Sequence, residues 1–160
     1  MADFQIAVAL TLKNEGGYVD NPLDPGGATN MGVEQRDLPD IPIRSLTIAQ
    51  ATTYYAQNYW KLYYSQIAAQ LIANKIFDMG VLFGVGTAVM LLQQTLAQQV
   101  TGIADDGNFG PATLQATNGY NPILLLAQYK VRLHSHEVGV GIAHPTDVIF
   151  EAGWSTRIDS

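Results

Sequence analysis

The sequence predicts a mainly α protein of the α+β kind: a helical bundle with a small β-hairpin or ordered loop following its first helix. Three observations predict it. Apolar residues return at helical spacing before residue 15, glycine and proline crowd the stretch from 16 to 32, and helix-opening signals recur from residue 47 onward. With 160 residues, 48% of them hydrophobic and 14% charged, the chain can bury a real core, and one domain spanning 1–160 is expected.

In the first helix Phe4, Ala7, Val8 and Thr11 or Leu12 recur at intervals of three and four, with Ile6 and Leu10 flanking the stripe and Asp3 placed to cap its start. Glu15 stands at its end. After it, Gly16-Gly17, Asn21-Pro22, Asp24-Pro25 and Gly26-Gly27 are turn punctuation, and only Tyr18-Val19 and Met31-Gly32-Val33 offer strand-like pieces. The result is an ordered loop or hairpin of roughly 20 residues, a length that is unusual for a structureless loop unless it is functional. Taken by position alone, Glu15 reads as a solvated carboxylate at a helix end. The same placement opposes the helix dipole, and a partly apolar wall beside it would favour the protonated form. Such an acid is placed to protonate a leaving oxygen.

From residue 46 onward the pattern is helical. Thr47 with Gln50 forms a capping box that opens a helix toward Tyr64. Segments at about 66–83 and 87–100 follow, a turn precedes a helix starting at Pro111, and Asn121-Pro122 opens a long helix reaching about Val138. The apolar region from Leu71 to Leu92 is broken by Asn74, Lys75, Asp78 and three glycines, which makes it core helix and not a membrane span.

Six aromatics, Tyr54, Tyr55, Tyr59, Trp60, Tyr63 and Tyr64, fall within eleven residues. Their rings suit sugar faces, yet Tyr55, Tyr59 and Tyr63 make one helical stripe and Trp60 and Tyr64 another, so at least one set belongs to the core. Two of the six, Tyr59 and Trp60, are assigned to substrate, and Trp154 is read as a packing anchor. Asp105-Asp106-Gly107-Asn108 lacks the ligand alternation and terminal Glu of a calcium loop. On a helix His134 and His136 project about 200° apart and cannot share one ion with Glu137. No metal and no cofactor are expected.

The net charge of −6, with only eight Lys and Arg scattered along the chain, argues against nucleic acid. It also argues that binding to an anionic polymer would depend on short-range hydrogen bonding and stacking. The absence of Cys removes disulfides and thiol chemistry. No basic and apolar leader opens the sequence, so a cleavable signal peptide is not expected. A monomer is expected.

Glu15-Gly16-Gly17-Tyr18-Val19, then Asp24-Pro25-Gly26-Gly27, Thr29 and Gly32-Val33, resemble the opening signature of glycoside hydrolase family 108, the N-acetylmuramidases. Further matches follow in order: Tyr59-Trp60, Phe77-Asp78 with Gly84, Leu91-Leu92-Gln93, Asp106-Gly107 with Gly110-Pro111, Arg132, and Gly153-Trp154 with Arg157. The Glu15, Asp24, Thr29 series also resembles the spacing of phage-type lysozymes, with the last gap one residue short. The chain departs from the family pattern at Asn30-Met31, where Lys-Tyr is common, and after Phe77-Asp78, where an Asn is common.

The resemblance implies a lysozyme-like muramidase that cleaves the β-1,4 bond between N-acetylmuramic acid and N-acetylglucosamine, with residues from about 85 to 160 similar to a peptidoglycan-binding helical region. It implies Glu15 as general acid, Asp24 or Asp20 as second carboxylate and Thr29 as a group orienting water. Substrate contacts are implied from Tyr18, Asp20, Tyr59, Trp60 and Asp78, with peptidoglycan glycan strands as partner. It also implies synthesis in a bacterial cytoplasm, action on the wall in the periplasm, and a holin or other export route as in a phage endolysin. Two rival readings are a peptidoglycan-binding module without turnover or a secretion-associated muramidase. A metal-dependent wall amidase would need His ligands that are poorly spaced.

Overall fold

The computed structural model describes residues 1–20, 27–144 and 151–160. The described chain forms two compact units, residues 4–60 and residues 61–160 together with 1–3. The expectation of a small hairpin among many helices is met.

The first unit contains α1 (Phe4–Asn14), β1 (Thr29–Asn30), β2 (Val33–Glu34), a 3-10 turn at Ile43–Ser45 and α2 (Ile48–Asn58). Ala7, Val8 and Thr11 are the buried face of α1, as the spacing predicts. They share the core of this unit with Val33, Ile43, Leu46, Ala51 and Tyr55. The antiparallel strands pair Thr29 with Glu34 and Asn30 with Val33, leaving a two-residue turn at Met31-Gly32. Val19 bridges to Thr29 on the other edge, with both backbone hydrogen bonds at 2.8 Å. Both turn residues have positive φ, 50° at Met31 and 73° at Gly32. That is the backbone a tight hairpin turn of this length requires.

The Thr47 capping box forms as predicted, with the Thr47 side chain accepting from Gln50 N–H and the Gln50 side chain accepting from Thr47 N–H. The helix it opens is shorter than expected. The Tyr55 carbonyl accepts from both Tyr59 N–H and Trp60 N–H, which closes α2 at Asn58, and Tyr64 lies in a separate 3-10 turn. The two aromatic stripes read along one continuous helix therefore do not exist as such.

The second unit contains that 3-10 turn at Tyr64–Gln66, then α3 (Gln70–Phe83), α4 (Val85–Leu96), α5 (Pro111–Gly119), α6 (Pro122–Ala143) and α7 (Glu151–Asp159). α3 starts later than the expected residue 66. Asn118 donates to Gln66 O at 3.0 Å and accepts from Ala68 N–H at 2.8 Å, holding that stretch out of the helix. The region from Leu71 to Leu92 becomes α3 and α4 broken at Gly84, and among the described residues no helix is long and apolar enough to cross a membrane. Its core is built from Ile72, Ile76, Phe77 and Met79 of α3, Val89, Leu92 and Leu96 of α4, and Leu125, Tyr129 and Leu133 of α6.

α6 runs past the expected Val138 to Ala143, and α7 was not foreseen at all. α7 carries no apolar stripe, and among its described side chains only Ile158 is fully buried. It is held by polar contacts instead. Arg157 grips Asp78 of α3 through two charge-assisted bonds of 2.9 Å, both side chains about nine-tenths buried. Lys75 donates to the carbonyls of Arg157 and Ile158 at 2.9 Å, and Lys130 donates to that of Asp159 at 2.6 Å. Two ammonium groups thus cap carbonyls that a helix end leaves without intrahelical partners. His134 lies between the carboxylates of Glu137 and Asp159, each at 3.0 Å, while Ser155 donates to Glu137 at 2.7 Å.

Two predictions follow from these contacts. Removing one partner of a buried pair strands the other charge, so Asp78→Ala or Arg157→Ala should each cost roughly 3–5 kcal/mol in urea unfolding. The double variant should cost less than their sum. The second concerns pH. The hydrogen bond that the protonated ring donates to Asp159, then the one it donates to Glu137, hold the His134 pKa above its ordinary 6.5 against partial desolvation. A raised folded pKa contributes stability that is complete below pH 6.5 and is lost as pH rises through the folded value. The thermal midpoint should therefore fall as pH rises above 6.5, and His134→Gln should flatten that slope.

Candidate functional site

α1 delivers Glu15 to its position: Glu15 N–H donates to Thr11 O at 3.1 Å, so the residue completes the last turn and its side chain leaves the helix end half-buried. The hairpin turn meets it there. A Cβ built on Gly32 would overlap both a carboxylate oxygen of Glu15 and the hydroxyl of Tyr55, and would lie 2.7 Å from Glu15 Cδ. The carboxylate is therefore packed against bare backbone, with a phenol at the same point. Tyr55 is fully buried on α2 and donates through its hydroxyl to Met31 O at 2.9 Å. One aromatic side chain thus ties α2 to the turn that Glu15 rests on.

The hairpin is fixed from below by two amides. Asn30, nine-tenths buried, donates to Ile43 O at 3.0 Å. Gln35 donates to Leu38 O at 3.0 Å and Ile41 O at 2.9 Å, and accepts from Ile43 N–H at 3.0 Å. These four contacts of side chain with main chain order residues 35–43 without regular structure, which is how a loop of that composition stays in place.

Thr29 lies in β1, half-buried, its backbone bonded to Val19. Tyr18 donates to Asp20 Oδ2 at 3.1 Å, and the Arg44 guanidinium lies 5.0 Å over its ring. Desolvation, then the Asp20 bond, raises the Tyr18 pKa, so the phenol stays protonated and a donor. Asp24 lies outside the described residues. Tyr59 packs against Tyr54 and Tyr55, with centroids at 6.1 and 5.6 Å, and Trp60 against Phe4 at 5.3 Å. Tyr54 donates to Asp37 at 2.8 Å. The structure thus brings Glu15 together with Gly32 and Tyr55, and separately brings Tyr18 together with Asp20.

Asp78 has a different setting from the one the sequence suggested. It is buried in the helical unit and ion-paired with Arg157, a structural partner that occupies both its carboxylate oxygens. Trp154 packs edge-on against Phe83, centroids 6.0 Å apart, in keeping with an anchor. His136 meets Phe83 at 5.2 Å while His134 turns to Glu137 and Asp159, so the two rings face different neighbours. Among the described residues no group of three His, Asp or Glu could hold a metal ion.

Gln93 is the residue that sequence reasoning missed in the second unit. From inside α4 its Nε2 donates to Asp106 Oδ1 and Asn108 O at 3.0 Å and to Thr113 Oγ1 at 3.2 Å, and its Oε1 accepts from Gly107 N–H at 2.9 Å. The Asp106 turn is therefore built around a buried amide, and Gly110 caps α5 without any side-chain bond. A Gln on the apolar face of a helix, opposite a Gly-rich turn, is the signal that could have found it.

The Gly32 contact gives a prediction with an internal control. Gly32→Ala adds a methyl group where Glu15 and Tyr55 already lie, at a positive φ, and should destabilise the protein by at least about 1 kcal/mol. Gly17→Ala, where a Cβ meets nothing within 4 Å, should leave the thermal midpoint unchanged.

Residues 8–84 match Glyco_hydro_108, glycosyl hydrolase 108, and residues 87–159 match PG_binding_3, described as a predicted peptidoglycan domain. The two matches meet near the break between α3 and α4, whereas the compact units part after residue 60. A comparison with curated proteins finds no match. Among solved structures, that of SagA from Brucella abortus aligns over 98% of this chain and 89% of its own, with 30% sequence identity and a TM-score of 0.78. An acid at the end of α1, lodged on a hairpin turn, thus lies within the hydrolase match, and the chain belongs to the glycosyl hydrolase 108 family.

Proposed function

We propose that the protein cleaves the β-1,4 bond between N-acetylmuramic acid and N-acetylglucosamine in peptidoglycan, with Glu15 as the general acid. The observation that carries this reading is the seat of Glu15: a half-buried carboxylate at a helix end, pressed on the backbone of Gly32 beside the Tyr55 hydroxyl. A group held on bare backbone has little freedom to turn away, and fixed geometry is what proton transfer to a glycosidic oxygen requires. Membership of a glycosyl hydrolase family and the peptidoglycan-domain match support the substrate class.

The second carboxylate comes from the loop after Glu15, with Asp24 as the first candidate and Asp20 as its competitor. Asp20 is exposed and accepts from Tyr18, which suits it to stabilising charge more than to taking a proton from water. Thr29 is assigned to orienting the water. The chemistry requires neither metal nor organic cofactor.

The test is release of N-acetylmuramic acid reducing ends from purified sacculi, identified by mass spectrometry. Glu15→Gln should lower turnover by a factor of about 100 or more, in line with loss of a general acid, with the fold retained by circular dichroism. Equal activity in both proteins would remove Glu15 from the mechanism. Tyr55→Phe keeps the ring and loses the hydroxyl. It should lower kcat roughly tenfold with KM nearly unchanged, because the Tyr55 hydroxyl holds the turn under the acid and is not assigned to the substrate.

A further inference from the structure

A groove of about 440 Å³ lies within the helical unit, between residues 61–63, the start of α4 and the 107–109 turn. That volume falls in the range of small-ligand sites. Leu62, Tyr63, Val85, Val89 and Phe109 give it apolar walls, and Asn108 adds an amide. Leu62 is 79% exposed, a large apolar side chain left in water, whereas Phe109 is seated edge-on against buried Tyr64 with centroids 5.2 Å apart. The turn is held rigidly. Gln93 bonds Gly107 N–H and Asn108 O, and Gly107 lies so close to α4 that a Cβ there would come within 2.9 Å of Gly86 O. Bare backbone at Gly107 lets the turn close on the helix, so the groove is formed before any ligand arrives.

Its chemistry narrows the occupant. Among the described residues that line the groove Lys61 alone is charged, and apolar walls with an amide suit an amphipathic ligand. The chain's net charge of −6 works against an anionic one. Val89, Asn108 and Phe109 belong to the stretch matched by the peptidoglycan domain. We propose that this groove binds an N-acetylhexosamine unit of the peptidoglycan glycan strand, with the sugar's C–H face and acetamido methyl against Tyr63, Leu62 and Phe109 and its polar groups toward Asn108. The stem peptide, whose carboxylates would suit Lys61 but meet the chain's net charge of −6, is the competing occupant that the titration separates. The inference rests on the peptidoglycan reading above and adds a second place where the strand is held.

The test uses the full chain carrying Glu15→Gln, titrated with tetra-N-acetylchitotetraose and followed by amide chemical shifts. Shifts should appear at residues 62–63, 86–89 and 107–109. Leu62→Ser and Tyr63→Ala should each weaken binding to the groove about tenfold, the size of one lost apolar contact. Leu62 is exposed enough that its replacement leaves the fold intact. Gly86→Phe adds a ring at a groove position where a Cβ meets nothing within 4 Å, and should abolish the groove shifts.

Titration that leaves the groove amides unmoved, or unaltered affinity in the variants, would overturn the proposal, as would groove shifts produced by a stem tetrapeptide and not by the sugar. The function reading fails separately, if the wild-type protein releases no reducing ends from sacculi. Groove shifts with chitotetraose would still support the site in that case.

Discussion

The seat of Glu15 depends on a contact made possible by a missing side chain. Gly32 occupies a turn position with φ of 73°, and its backbone lies where any Cβ would meet Glu15 and Tyr55. Two constraints therefore fall on one residue, one from the hairpin and one from the acid. The turn geometry is fixed by strand pairing, by Asn30 reaching Ile43, and by Tyr55 reaching Met31. A shift in any of these moves the surface on which the carboxylate rests. Met31 also sits at positive φ, a backbone that costs a residue with a Cβ on the order of 1 kcal/mol. The surrounding bonds hold it there.

The second unit solves a different problem by similar means. Polar groups, most of them buried, carry its organisation: Gln93 orders a turn, Asp78 and Arg157 join α3 to α7, and buried Lys75 and half-exposed Lys130 cap the end of α7. Gln93, Asp78, Arg157 and Lys75 each make two or more hydrogen bonds, which is the condition under which a buried polar group helps and does not harm, while Lys130 makes its contact at the surface. Burial lowers the Lys75 pKa to about 8, with the nearby Lys130 charge adding to the effect. That ammonium is retained in the interior by the carbonyls it serves.

Much of this was legible in the sequence where a residue acts on its own neighbours. The Thr47 capping box, the buried face of α1, the Asn121-Pro122 helix start and the helical break at Gly84 are local effects, and the sequence pattern locates them. The hairpin was legible as an element from its Gly- and Pro-rich punctuation, but its turn was not: Met31-Gly32, read as part of a strand-like piece, form the two-residue turn. What escaped depends on partners distant in the chain. α2 stops at Asn58 with no Gly or Pro to announce it, since the stop is a shared carbonyl at Tyr55. α7 has no apolar periodicity, and its stability comes from Asp78, Lys75 and Lys130. Asp78 itself, read as a substrate contact through resemblance, proves to be engaged by a residue 79 positions away. Within the candidate site, the motif drew attention to Glu15, whereas the bond from the Tyr55 hydroxyl to the hairpin turn was not legible, because a tyrosine on a helix stripe looks the same whether or not its tip has a partner.

The separation between α3 and α7 has a kinetic side. The Lys75 and Asp78 contacts reach forward by 79 to 83 residues, so they close one of the longest loops in the unit. Loops of that length form slowly relative to helix growth, and their ends gain nothing until they meet. During synthesis on the ribosome, α3 emerges with a lysine and an aspartate destined for the interior, and both must remain hydrated until residues 157 and 158 arrive. The apolar faces of α3, α4 and α6 can be buried against one another without any residue of α7, whereas the polar clasp requires residues 157 and 158 to be in place.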